Sequence, residues 1–130
     1  MIKYIIVVLA IAGAYYGATR YMDLDKSLVF VSQHKSASWA PRANYTIGLV
    51  YYQGDQYGKA QAAFTQLLTD YPTCQFSARA LFYLEDTAEY NHDWPVARQA
   101  IDRYMEEHPE GSDAQLLRKR GELLRYQHGQ

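Results

Sequence analysis

The sequence predicts an all-α protein: one N-terminal transmembrane helix, then a short α-solenoid of two helical hairpins and a capping helix. Three observations carry this reading. Residues 4–22 form an apolar run with a single charge, Arg20. The pattern Ile47-Gly48-(x2)-Tyr51-(x8)-Ala60-(x3)-Phe64-(x7)-Pro72 puts apolar residues at helical spacing on both sides of Gly54. A related pattern follows 37 residues later and ends at Pro109, and self-similarity at such a period marks stacked helical hairpins.

The first element is the apolar run, within a segment covering residues 1–22. Nineteen helical residues reach about 28 Å, close to the roughly 30 Å of a hydrocarbon core. Lys3 stands at one edge, and Tyr15, Tyr16, Arg20 and Tyr21 stand toward the other, where amphipathic rings and long cations suit a membrane interface. Ala10, Gly13, Ala14 and Gly17 line one face with small side chains, the composition that lets helices pack closely in lipid. A cleaved signal peptide is the competing reading, with Ala12-Gly13-Ala14 as the processing site. The charges flanking the run also leave its orientation open: Lys3 favours an exported domain, whereas Arg20, Lys26 and Lys35 argue for the reverse.

Residues 23–40 form a connector, polar at its ends and apolar from Leu28 to Val31. That centre is expected either as a short helix under the first hairpin or as a continuation of the membrane helix. The first hairpin covers residues 41–74. Pro41 suits a first helical turn, where its missing N–H costs nothing, and Gly54 ends the first helix. A second helix runs over about 56–71 to Pro72. The second hairpin covers residues 75–110. Its helices are expected near 76–90 and from Asp93, a good N-cap, to His108-Pro109. Residues 111–130 hold a capping helix that starts after Ser112, with Gln115 placed for a capping box.

The hairpins share a packing logic. Gly48 leaves room for Ala60 where the two helices cross, and Tyr51, Phe64 and Leu67 fill the surrounding space. Tyr57 and Trp94 hold equivalent places, as do Ala60 and Ala97, Phe64 and Ile101, and Pro72 and Pro109. The match breaks at Glu85 and Ala88, which stand where the first hairpin has Gly48 and Tyr51. There the helix contact must loosen, or Glu85 must point outward.

Composition narrows the function. The chain has 130 residues, with 13 Lys+Arg against 14 Asp+Glu, so it lacks the basic excess of a nucleic-acid binder. Arg118, Lys119, Arg120 and Arg125 read as a solvated helix face. Cys74 is the single cysteine, which excludes an internal disulfide and reads as a small core residue. His34, His92, His108 and His128 are too far apart for a metal motif. Glu85-Asp86 and Glu106-Glu107 are sequence neighbours, so on a helix each pair diverges by about 100°. No catalytic, cofactor or metal residues are expected, and the chain is not read as an enzyme.

Over residues 41–127 the hairpins resemble the tetratricopeptide repeat family. Tyr71-Pro72-(x4)-Ser77-(x2)-Ala80-Leu81-(x2)-Leu84 is similar to the repeats of its bacterial envelope members. The spacing is 37 rather than that family's usual 34, with the extra residues at 73–77. The resemblance implies a concave partner groove lined by Arg42, Tyr45, Leu49 and Tyr52, then Arg79, Phe82, Asp86 and Glu89. On the capping helix it implies Leu116, Lys119, Leu123 and Tyr126. Arg42, Arg79 and Lys119 would hold a carboxylate, and Tyr45, Tyr52 and Phe82 would supply apolar contact.

The resulting expectation is a membrane-anchored scaffold or accessory, non-catalytic subunit of a membrane protein complex. It has protein partners, a bilayer contact through residues 4–22 and no nucleic-acid partner. The resemblance places it as a single-pass protein of the bacterial inner membrane, with its repeats facing the periplasm. The alternatives are an envelope assembly factor that binds exported clients in a chaperone-like way, and a secreted module cleaved after Ala14.

Overall fold

The computed structural model describes the backbone of residues 1–21 and 24–128, and the side chains of residues 1–16 and 25–127. Seven helices and no strands are present among the described residues: α1 (Ile2–Tyr21), α2 (Leu24–Gln33), α3 (Ala40–Gln53), α4 (Tyr57–Asp70), α5 (Ser77–Tyr90), α6 (Trp94–Glu107) and α7 (Ala114–His128). The all-α expectation therefore holds, and the boundaries from α3 onward fall within two residues of those the sequence predicts.

The transmembrane expectation does not hold. Among the described residues no helix is long and apolar enough to cross a membrane. The single-pass placement in an inner membrane, and a spanning helix over residues 1–22, are corrected accordingly. Ala10 and Ala14 are exposed, a side chain added at Gly13 would meet nothing within 4 Å, and Gly17 lies outside the described side chains. The apolar residues of α1, from Ile2 to Ile11, stand bare.

Helices α2 to α7 stack in chain order, each packing on its neighbours, as in a helical solenoid. Two hairpins, α3/α4 and α5/α6, form its centre. Their turns are built alike. Asp55 and His92, 37 residues apart, both take left-handed backbone conformations with φ of 61° and 56°, a region in which Asp and His occur more often than most residues. Asn91 ties the two turns together. Its side-chain N–H groups reach the Tyr57 carbonyl at 3.0 Å and Gln61 Oε1 at 2.7 Å.

The links between hairpins repeat as closely. After α4, Cys74 N–H bonds the Tyr71 carbonyl (3.2 Å) and Ser77 N–H bonds that of Cys74 (3.0 Å). After α6 the same pair joins Gly111 to His108 (2.9 Å) and Ala114 to Gly111 (3.1 Å). After α2 it joins Ala37 to His34 (2.9 Å) and Ala40 to Ala37 (3.1 Å). The same link thus occurs three times, at intervals of 37 residues. The connector helix α2 is the second half of a hairpin whose first half is missing from the stack. The capping helix α7 is the first half of another.

The core follows from this stacking. Ala60, Ala63, Phe64 and Leu67 of α4, Ala80 and Leu81 of α5, Ala97 and Ala100 of α6, and Leu117 of α7 are all buried. Each large apolar side chain so buried contributes about 1.5–3 kcal/mol. Alanines keep the helix axes close, and the large residues fill the space between crossings. Gly48 is the tightest point: a Cβ there would sit 2.7 Å from the Phe64 ring. Asp93 caps α6 as the sequence predicts, accepting from Val96 N–H at 3.4 Å. At α7 the residue preceding the helix is Asp113 rather than Ser112.

Candidate functional site

The predicted groove residues lie on α3, α5 and α7, the first helices of successive hairpins. Because these helices repeat at one spacing, the same turn of each presents its side chains side by side. Tyr45 is partly buried and stacks on Phe76 with ring centroids 4.9 Å apart. Its other ring neighbours are Phe64 (6.2 Å) and Tyr83 (6.4 Å). Tyr83 also meets Tyr52 (5.1 Å), Phe64 (5.6 Å) and Phe82 (5.3 Å). A continuous aromatic band therefore joins α3 to α5, and burial pushes the Tyr45 hydroxyl above its usual range.

The charged residues are tied in rather than free for a ligand. Arg79 pairs with Asp113 at 2.9 Å, reaches the Tyr83 hydroxyl at 3.3 Å and lies 5.1 Å above the Phe82 ring. Arg120 lies over the same ring at 5.5 Å, so Phe82 meets two guanidinium groups. Tyr52 donates to Asp86 Oδ2 at 2.5 Å. Burial and this carboxylate together raise the Tyr52 hydroxyl far above the usual tyrosine range. Of the three cations expected to hold a partner carboxylate, Arg79 has an internal partner. Arg42 and Lys119 are exposed and have no ion-pair partner among the described residues.

Beside the band lies a buried charge cluster. Glu85 is wholly buried, and its Oε2 accepts from Arg120 Nη1 at 2.7 Å. The same guanidinium nitrogen lies 3.3 Å from Asp86 and 3.9 Å from Glu89. This corrects two expectations. Glu85 does not point outward: the side chain that replaces glycine turns toward α7, where Arg120 neutralises it. Glu85 and Asp86 also do not diverge into separate surroundings, because one cation gathers both. Desolvation pushes the Glu85 carboxyl up to about 8, the neighbouring Glu89 adds to the rise, and Arg120 opposes it. Glu85 Oε1 is buried without a hydrogen-bond partner.

Ligand oxygens of Glu85, Asp86 and Glu89 lie within 4.8 Å of one another, the one such set with metal-ligating potential among the described residues. Arg120 stands among them and supplies the positive charge a cation would bring. The arrangement is an ion cluster centred on the Arg120 guanidinium.

The remaining predicted residues differ in exposure. Leu49 is partly buried, while Leu116, Leu123 and Tyr126 of α7 are exposed, Tyr126 at 88%. Tyr83 and Arg120, missing from the predicted set, are the residues that join its parts. Tyr83 follows Phe82 directly in sequence and gives no separate signal. Arg120 reads as one more solvated cation until Glu85, one repeat unit behind Glu122, is seen to need a charge.

Helices α2 to α7 thus define a short α-solenoid with an aromatic face and a charge-paired junction between its second hairpin and its last helix. No protein-family profile matches the chain, and no curated protein is similar enough to count as a relative.

Proposed function

We propose that this chain is a tetratricopeptide-type binding module that holds a segment of another protein on the face shared by α3, α5 and α7, acting as a scaffold or non-catalytic subunit. The observation that carries the reading is the exposure of Leu116, Leu123 and Tyr126 on α7, beside the aromatic band of Tyr45, Tyr52 and Phe82 and the open cations Arg42 and Lys119. Large apolar side chains left bare beside unpaired cations suit a partner segment that brings apolar anchors and a carboxylate. The internal pairing of Arg79, Arg120 and Tyr52 supports the same reading, since it fixes the face before any partner arrives. Purification of the tagged native protein with quantitation of every co-purifying chain tests it. A partner recovered in fixed ratio, and lost by tenfold or more in a Leu123→Asp/Tyr126→Ala variant with an unchanged melting temperature, is the expected result. Undiminished recovery with that variant would refute this face as the binding surface.

A further inference from the structure

The N-terminal end of the solenoid carries an open groove of 740 Å³ between α2 and α3, lined by Ser27, Phe30, Val31, Trp39, Thr46 and Ile47 among others. One period of 37 residues further on, these positions are Phe64, Leu67, Leu68, Phe76, Tyr83 and Leu84. That second groove, between α4 and α5, is filled by helix α3. Tyr45 enters it against Phe64, Phe76 and Tyr83, and Gly48 lies against the Phe64 ring. The open groove is therefore the seat for a helix of the α3 type, and its own occupant is missing.

The opposite end of the stack is finished differently. The groove between α6 and α7 is lined by Arg98, Asp102, Arg118, Glu122 and Arg125 around Ile101, Met105 and Gly121, so its rim is charged and suits water. Phe30 and Trp39 at the N-terminal end are instead about half exposed, at 52% and 45%.

The molecule also has one helix with no seat. Every large apolar side chain described in α1 is exposed. Its residues 3–16 lie one period before α3 (Ala40–Gln53), so Val8 falls at the Tyr45 position and Ile11 at the Gly48 position. The sizes reverse in step: where Gly48 faces the large Phe64, Ile11 would face the small Ser27. The chain's own α1 does not turn back into the groove. The turn Gly54–Gln56 that reverses the first hairpin corresponds to residues 17–19, and α1 runs helical through them to Tyr21.

We infer that α1 of a second copy of this chain occupies the α2/α3 groove, with Val8 against Trp39 and Ile11 over Ser27, so that two copies exchange α1 helices. Reciprocal exchange gives a closed two-fold dimer, and it continues the packing already present between α3 and the α4/α5 groove.

Site-directed cross-linking of the full-length chain in a Cys74→Ser background tests this. Ile11→Cys protein carrying a tag is mixed with untagged Ser27→Cys protein and oxidised at micromolar concentration. The expected product is the mixed disulfide, at least tenfold over either homodisulfide. In the non-cysteine chain, Trp39→Glu should raise the dimer dissociation constant at least tenfold while the helical circular-dichroism signal stays unchanged. A monomeric chain overturns the inference. So does an intrachain link in the Ile11→Cys/Ser27→Cys double variant, because it would place the chain's own α1 in the groove. A dimer linked only through Ile11→Cys homodisulfides and insensitive to Trp39→Glu overturns it too, because α1 would then pair with α1.

Discussion

At the scale of single residues, the two hairpins serve as controls for each other. Asn44 is wholly buried, and neither its Nδ2 nor its Oδ1 has a hydrogen-bond partner. One period later the same position holds Leu81, equally buried. Burying an amide without partners costs about 1–3 kcal/mol by mutational measures. Asn44→Leu should therefore raise stability by about that amount, read as a higher urea midpoint at unchanged slope; a lower midpoint would mean that Asn44 is satisfied in solution. Glu85 makes the converse case. Its carboxyl is raised from 4.5 to about 8 on folding, so the folded chain holds this proton more tightly than the unfolded one. The stability it supplies is complete below pH 4.5 and declines as pH rises to about 8, by on the order of a few kcal/mol. Urea midpoints at pH 5 and pH 8 should fall in that order for the native chain and differ much less in Glu85→Gln. An unchanged pH dependence in Glu85→Gln would assign the titration to another group. Arg120 keeps Asp86 and Glu89 as partners when Glu85 is neutral, so the cluster persists across this window.

At the scale of helices, periodicity carried most of the information. Gly54, Pro72 and Asp93 mark where helices stop or start for reasons of backbone chemistry, and the observed ends of α3, α4 and α6 follow them. The close crossing at Gly48 was legible for the same reason, although the sequence pairs Gly48 with Ala60 and the structure sets it against the Phe64 ring. It yields a direct expectation. A Cβ at position 48 meets three ring atoms at 2.7–3.0 Å, and Phe64 is wholly buried with nowhere to move. Gly48→Ala should cost about 1–3 kcal/mol despite the better helix propensity of alanine; a neutral or stabilising outcome in thermal melts would show that α3 and α4 slide apart at little cost. What periodicity left open was α2, which the sequence offers either as a short helix under the first hairpin or as a continuation of the membrane helix. Its apolar centre is too short for a helical face to stand out, and the link over 34–39 shares backbone hydrogen bonds with the other two links but little side-chain pattern. The destination of Glu85 was hidden for a different reason. Its partner, Arg120, is 35 residues away, and only the register of α7 against α5 brings the two together. The membrane reading did not hold either: among the described residues no helix is long and apolar enough to cross a membrane.

For the molecule as a whole, each layer of a solenoid depends on the next, and the last layer here does more than shield apolar surface. Helix α7 covers α6 through Leu117 and Leu124, both buried, and Gly121 lies against Ile101, with a Cβ there 3.3 Å from its methyl group. It also supplies Arg120, the one cation within 4 Å of Glu85 among the described residues. Removing it would expose the apolar face of α6 and leave Glu85 without its counter-charge. Above about pH 8, where Glu85 is ionised, breaking this buried ion pair from one side costs about 3–5 kcal/mol, and domains of this size are stable by only about 5–15 kcal/mol in total. Because nearest-neighbour interfaces carry the stability of such stacks, the loss should spread to α5 and α6 and from there to the first hairpin. A chain ending at residue 112 is therefore expected to lose its cooperative urea transition and much of its helical circular-dichroism signal. Arg120→Ala in the full chain should unfold cooperatively but at a lower midpoint. If the shortened chain kept a cooperative transition at the native midpoint, α7 would be an ornament on a self-sufficient pair of hairpins. If Arg120→Ala matched the truncation in severity, the charge cluster alone would hold the last layer, and the apolar contacts of Leu117 and Leu124 would count for little.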